Sequence, residues 1–149
     1  MNYWLMKSEP EECSVDDALA APDASVPWVG VRNYQARNFM RDAMRVGDGV
    51  LFYHSSCAEP GIAGIARVAS AARTDPTQFD PASPYFDPAS QPEAPRWQLV
   101  DVQMLRKIGL VTLPMLRARP ELDGLLVLKK GNRLSITPVD EAHWKAIAG

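Results

Sequence analysis

Two periods of hydrophobic spacing run through the chain, and the switches between them mark its elements. Tyr3-Trp4-Leu5-Met6 is an aromatic and aliphatic run with β character that Pro10 stops, which predicts a first strand over about residues 2–8. Ser14 with Asp17 three residues on is an N-cap with an acidic third position, opening a short helix through Leu19 that Pro22 ends. After a loop carrying Trp28-Val29-Gly30-Val31-Arg32, Asn33 caps a helix in which Ala36, Phe39, Met40, Ala43 and Met44 follow the i, i+3, i+4, i+7, i+8 pattern. Arg37, Arg41 and Arg45 recur every fourth residue on another, solvent-facing side of it. The short apolar run Gly49 to His54 reads as a buried strand, and Ile62 to Val68 as a second one, where Gly64 lets something approach the backbone closely.

Prolines punctuate the stretch from Asp75 to Pro95, which predicts a long loop ordered by contact, with Phe79, Tyr85 and Phe86 as apolar anchors. Trp97 to Val102 alternates as a strand, Leu113 to Leu116 begins a short helix near Pro114, and Leu125 to Leu128 fits either strand or helix. Asn132 to Ile136 alternates again, and Thr137-Pro138 caps a final helix holding Trp144 and Ile147. Five or six strands and three or four short helices in mixed order make the class α+β, with a curved sheet or partial barrel.

Composition narrows the setting. A chain of 149 residues, 46% hydrophobic and 23% charged, can close one core, so a single domain over residues 1–149 is expected. No apolar stretch approaches the ~20 residues that span a bilayer, which excludes membrane spanning by a helix. The N-terminal residues have no basic leader, apolar core or small-residue cleavage site of a secretory signal, so the expected location is cytoplasmic. Cys13 and Cys57 lie in unrelated contexts and read as free thiols. The net charge of -2 hides segregation: four arginines face only Asp42 between residues 32 and 45, and another basic block lies in residues 96–135. Such local clusters supply phosphate contacts even where bulk charge does not.

Motifs for nucleotide hydrolysis, dinucleotide binding, zinc proteolysis and α/β-hydrolase chemistry are missing, and no spacing of metal ligands occurs. His54 beside Ser55, Ser56 and Cys57 puts a base near nucleophiles, but triads are assembled in space and adjacency is weak support. No catalytic residue, metal or cofactor is therefore assigned. What remains is a set of aromatic groups next to polar and basic ones: Trp4 with Lys7 and Ser8, Trp28 with Arg32 and Asn33, Tyr53 with His54 and Ser55, and Arg96 with Trp97. That combination suits a flat ligand, since aromatic faces hold an unstacked base while amides, hydroxyls and charges read its edge. Trp4 and Phe52 in apolar strands read first as core, whereas Trp28 in a loop stands equally well as a ligand wall. The helix arginines serve equally as a solvated face or a phosphate track.

Four ordered blocks carry a resemblance: Tyr3 to Pro10, Trp28 to Asn38, Leu51 to Ser55 and Arg133 to Ser135 are similar to the motifs of the EVE domain, over nearly the whole chain. The resemblance implies a PUA-like fold, a mixed β pseudo-barrel surrounded by short helices, and kinship with the YTH domain, whose aromatic cage holds a methylated adenine of RNA. It implies a noncatalytic reader of a modified nucleobase, a modified cytosine or methylated adenine of DNA or RNA. By position, Lys7 and Ser8 end the first strand at the pocket, Trp28 looks like the cage tryptophan, Arg32 and Asn33 line the mouth, and Tyr53, His54 and Ser55 close it. Tyr85 and Asp87 look like a lid, and Tyr53, Tyr85 and Trp97 compete to complete the cage. Arg37, Asn38, Arg41 and Arg133 are the expected phosphate contacts. The protein is expected to be a monomer with an effector protein among its partners. Two other classes compete: an enzyme acting on RNA or a modified nucleotide through His54 or Lys7, and a small-molecule or protein interaction module using the same pocket.

Overall fold

The computed structural model describes residues 1–149. Its strands are β1 (Tyr3–Ser8), β2 (Ser25–Pro27), β3 (Gly49–His54), β4 (Gly61–Val68), β5 (Arg73–Thr74), β6 (Gln98–Leu99), β7 (Asp101–Thr112) and β8 (Ile136–Val139). Four helices join them: α1 (Val15–Ala20), α2 (Tyr34–Asn38), α3 (Leu113–Arg117) and α4 (Glu141–Ala148). Six strands form one sheet in the order β2-β7-β4-β3-β1-β8, and β5 pairs with β6 in a small ribbon. Only β1 and β3 run parallel; the other pairings are antiparallel. This is the α+β class expected. No helix is long and apolar enough to cross a membrane.

Strand alternation sends successive side chains to opposite faces, and both faces are covered. Trp4, Met6, Val50 and Phe52 share one core with Val15 and Ala18 of α1 and Ala36 of α2. Leu5, Leu51 and Tyr53 point the other way, against Leu116 of α3 and the half-buried Trp144 of α4. A sheet buried on both sides explains why Gly49 to His54 is continuously apolar. Gly64 is the close approach its sequence position suggested: a Cβ there would lie 2.4 Å from the Met104 methyl.

The parallel pair positions the site. Because β3 returns alongside β1 after a crossover through α1, β2 and α2, both strands end together, with Ser8 in register with His54. Ser14 and Asp17 form the expected capping box on α1.

Four local expectations are corrected. Asn33 does cap α2, accepting from the Ala36 N–H at 3.0 Å, but from Phe39 the helix widens into a π turn ending at Ala43. Arg45 therefore lies beyond the helix, and the three-arginine stripe does not exist as one face. The strand expected over 97–102 breaks at Val100: Leu99 pairs with β5, while β7 continues to Thr112, bulged against β4 at two places that obscure its alternation. Thr137 and Pro138 belong to β8, an edge strand where a missing N–H is tolerated, and α4 starts after Asp140. The proline-rich loop is anchored by polar groups, with Phe86 39% exposed while Asp75 and Gln78 are 0% exposed. The Gln78 amide donates to the carbonyls of Asp75 (2.6 Å) and Trp97 (2.9 Å) and accepts from Ser90 Oγ (2.6 Å) and the Trp97 N–H (3.1 Å). A side-chain amide thereby meets backbone groups that a loop lacking regular structure leaves unpaired.

Candidate functional site

A cleft of about 770 Å³ opens where β1 and β3 end, within the size range of small-ligand sites. Its lining comes from Lys7 and Ser8, the turn to Cys13, the segment from Val26 to Arg32, Ser55 and Ser56, Pro84 and Tyr85, and Arg133 and Ser135. The floor is knitted by backbone bonds: the Lys7 N–H donates to Ser135 O at 2.8 Å and the Ser55 N–H to Ser8 O at 3.0 Å. Ser8 Oγ donates to Cys13 O at 2.7 Å, tying the first turn to the strand end.

Two aromatic side chains belong to the cleft. Trp28 follows β2 and is fixed by its N–H to Val100 O at 2.9 Å and by an edge-on contact with Phe52, ring centroids 5.4 Å apart. Tyr85 reaches in from the proline-rich loop and lies on Gly30, whose φ of +84° and missing Cβ both matter; a Cβ there would come within 2.6–2.8 Å of the Tyr85 ring. The Tyr85 hydroxyl donates to the Glu12 carboxylate in the turn after β1, so the lid loop and that turn meet across the cleft. Burial and the adjacent Glu12 push the phenol up to about 12, so it is a neutral donor at physiological pH.

Arg32 and Asp75 hold the lid. Arg32 donates through Nε and Nη2 to Tyr85 O (3.1 and 2.7 Å), through Nη2 to Thr77 Oγ1 (3.1 Å), and through Nη1 to Asp75 Oδ2 (3.1 Å) and Val31 O (2.9 Å). Asp75 also accepts from the N–H groups of Gly30 (2.9 Å) and Thr77 (2.8 Å) and from Thr77 Oγ1 (2.6 Å). Burial opposes ionisation of this carboxyl, but the bonds from Thr77, Gly30 and Arg32 outweigh it and hold the group below the usual carboxylate range. The guanidinium lies between the faces of Tyr85 and Trp97, 5.7 and 5.4 Å from their ring centroids.

Of the residues singled out for the base, the cleft brings together Lys7, Ser8, Trp28, Arg32, Ser55 and Tyr85, and of those for phosphate only Arg133. Lys7 forms no ion pair; burial pulls its ammonium below the ordinary lysine value, and it lies 6.0 Å from the Tyr53 ring centroid. The others sit elsewhere. Tyr53 is buried in the core with Leu5 and Leu51. His54 Nε2 accepts the Val15 N–H at 3.1 Å, capping α1 with a neutral ring whose burial lowers its proton affinity. Its lone pair is thus already used. Asn33 is spent on capping α2. Trp97 stacks on Tyr34 at 4.8 Å and donates its indole N–H to Asp87 at 2.8 Å. Arg37 bonds Asn38 Oδ1 and Arg96 O and lies 4.7 Å from the Tyr34 ring centroid, while Arg41 pairs with Asp42 at 2.9 Å.

Sequence reasoning missed Glu12, Gly30 and Asp75. Gly30 meets the Asp75 carboxylate and the Tyr85 ring only through the fold, since its N–H donates to a residue 45 positions away. Glu12 had no local signal beyond its charge.

A profile of the EVE domain matches residues 2–149. The chain belongs to the EVE domain family. Human thymocyte nuclear protein 1 is 41% identical over 96% of this chain and 71% of its own length, and the mouse protein is 47% identical over 70% and 50%. Among solved structures, a Pseudomonas putida protein superimposes with a TM-score of 0.92 at 46% identity, covering 98% of this chain and 97% of that one. The human THYN1 protein in complex with 5-methylcytosine-containing DNA superimposes with a TM-score of 0.92 at 39% identity, covering 99% and 95%. The YTH domain of a Zygosaccharomyces rouxii protein shares the EVE fold at a TM-score of 0.56 and 13% identity. The cytoplasmic expectation is corrected here, because the vertebrate relatives of this EVE domain are named as nuclear proteins. The lack of a secretory signature does not separate nucleus from cytosol.

Proposed function

We propose that this EVE domain is a noncatalytic reader that takes a modified cytosine of DNA into the cleft between Trp28 and Tyr85, with Lys7 available to the base edge and Arg133 to the backbone phosphates. The observation that carries the reading is the cleft itself: two aromatic side chains, an unpaired ammonium and a second cation meet where two strands end. Its resemblance in fold and sequence to a protein crystallised with 5-methylcytosine-containing DNA supports the choice of ligand. The pocket is a partial cage, because Tyr53 and Trp97 are engaged elsewhere. Arg37 and Arg41 already have partners within the chain, so the phosphate contacts are assigned first to Arg133 at the cleft.

Fluorescence polarisation at one fixed salt concentration tests the reading. Matched DNA and RNA strands carry cytosine, methylcytosine, hydroxymethylcytosine, adenine or methyladenine at a single position. The expected result is preference for a modified cytosine in DNA that Trp28→Ala reduces roughly tenfold or more, the scale of one base–aromatic stack. Affinity indifferent to modification and unchanged by Trp28→Ala refutes it. Preference for a methyladenine RNA strand moves the ligand to the other class.

A further inference from the structure

Thymine carries the same C5 methyl group as 5-methylcytosine, so aromatic contacts and a methyl-sized space accept both. The two bases differ on their pairing edge, where cytosine presents an N4 amine donor and thymine an O4 acceptor. A reader of methylated cytosine in DNA therefore needs a fixed acceptor in its pocket, or every thymine competes. Carboxylates are the side chains suited to the N4 amine, and the cleft has two, Glu9 and Glu12.

Only Glu12 is fixed. Its N–H and that of Cys13 both donate to Glu9 O, at 2.9 and 3.0 Å, so the turn that carries it is closed. Ser8 Oγ binds Cys13 O at the end of the same turn. The Tyr85 hydroxyl donates to Glu12 Oε2, and the Tyr85 ring is itself seated on Gly30 and held through its carbonyl by Arg32. Oε1 has no partner in the protein, and a carboxylate with one oxygen bonded still accepts several donors. The Glu9 side chain makes no hydrogen bond. Lys7, unpaired in the same cleft, adds a donor for the N3 and O2 acceptors that complete the cytosine edge.

We propose that Glu12 is the specificity-determining acceptor of this site, taking the exocyclic amine of a cytosine-type base, and that Tyr85 is its positioning residue. This rests on the reading that the cleft holds a modified cytosine. It goes further in naming what separates that base from thymine: a preorganised carboxylate, which faces thymine O4 with like partial charge and leaves both groups unpaired.

The test compares dissociation constants for duplexes that place 5-methylcytosine, cytosine or thymine opposite the same guanine. The T·G wobble pair opens more easily, so it works against the expected preference. Wild-type protein should bind methylcytosine about tenfold or more tighter than thymine. Glu12→Gln, an exposed substitution whose fold is checked by circular dichroism, presents either an oxygen or an NH2 group and should bring the methylcytosine-to-thymine ratio close to one while both duplexes still bind. Tyr85→Phe keeps the ring and should give an intermediate ratio, a change that loss of stacking alone does not produce. A ratio unchanged in Glu12→Gln overturns the assignment and leaves the modified-base reading standing. Wild-type protein that does not separate methylcytosine from cytosine overturns both.

Discussion

Replacing Asp75 by asparagine should destabilise the protein by about 3 kcal/mol, and the structure sets that scale. Each carboxylate oxygen accepts twice, Oδ2 from Gly30 and Arg32 and Oδ1 from the N–H and hydroxyl of Thr77. An asparagine must present NH2 to one pair. It will face Thr77, whose hydroxyl can turn to accept, because neither the Gly30 N–H nor the guanidinium can. The Thr77 N–H then loses its acceptor at a cost of about 1–3 kcal/mol, and Arg32 loses its charged partner. Breaking a fully buried pair by removing one charge costs about 3–5 kcal/mol, but the Arg32 side chain is 22% exposed and regains hydration, which cuts that share to about 1–2 kcal/mol and the whole to about 3 kcal/mol. At roughly 2–4 °C per kcal/mol for a chain of this size, Tm should fall by about 6–12 °C at pH 7. Urea and thermal unfolding followed by circular dichroism measure this, and limited proteolysis should show earlier cleavage between residues 75 and 95. The folded-state pKa of Asp75 is depressed, so its contribution is fully present above the ordinary carboxylate value of about 3.9 and disappears as pH falls through the lower folded value. The gap between variant and wild type should therefore close in acid. A loss below about 1 kcal/mol at pH 7, or a gap independent of pH, refutes the reasoning.

Two further outcomes follow from the same geometry. Gly30→Ala combines a φ of +84° with a Cβ that would lie 2.6–2.8 Å from the Tyr85 ring; it should cost about 1–3 kcal/mol in urea unfolding and weaken methylcytosine binding, and a variant with unchanged affinity would place Tyr85 outside the ligand's path. His54 is neutral while it accepts the Val15 N–H, and burial lowers its proton affinity. Its contribution is complete above the ordinary imidazole value of about 6.5 and is lost as pH falls through the lower folded value; His54→Ala should abolish that part of the stability slope, and an NMR titration placing its pKa above 6.5 would contradict the assignment.

Much of the frame was legible because it depends on local physics. The capping box at Ser14 and the N-cap at Asn33 act within three residues, and the buried strand Gly49–His54 declares itself by continuous apolarity. β7 was only half legible, since bulges against β4 shift the alternation that a linear reading follows. The loop from Asp75 to Pro95 was recognised as ordered by contact, but its anchors are Gln78, Asp75 and Ser90, polar residues that composition assigns to the surface. In the cleft, Lys7, Ser8, Trp28, Ser55 and Tyr85 were already singled out, whereas Tyr53 and His54 were drawn in by adjacency. Packing explains the difference: the Tyr53 ring is buried in the core with Leu5 and Leu51, and His54 turns to α1.

The sequence by itself determined where the first strands and helix caps form and which family the chain resembles, because propensity, capping and periodicity are short-range. Only the tertiary structure decided how those groups are used. It showed Arg32 committed to Asp75, Thr77 and Tyr85, and Glu12 bonded to a tyrosine 73 residues away. A side chain's chemistry is fixed by its type, but its role depends on which donors and acceptors the fold leaves unpaired. That balance is settled by contacts distant in sequence and by the burial that decides whether water can substitute for them.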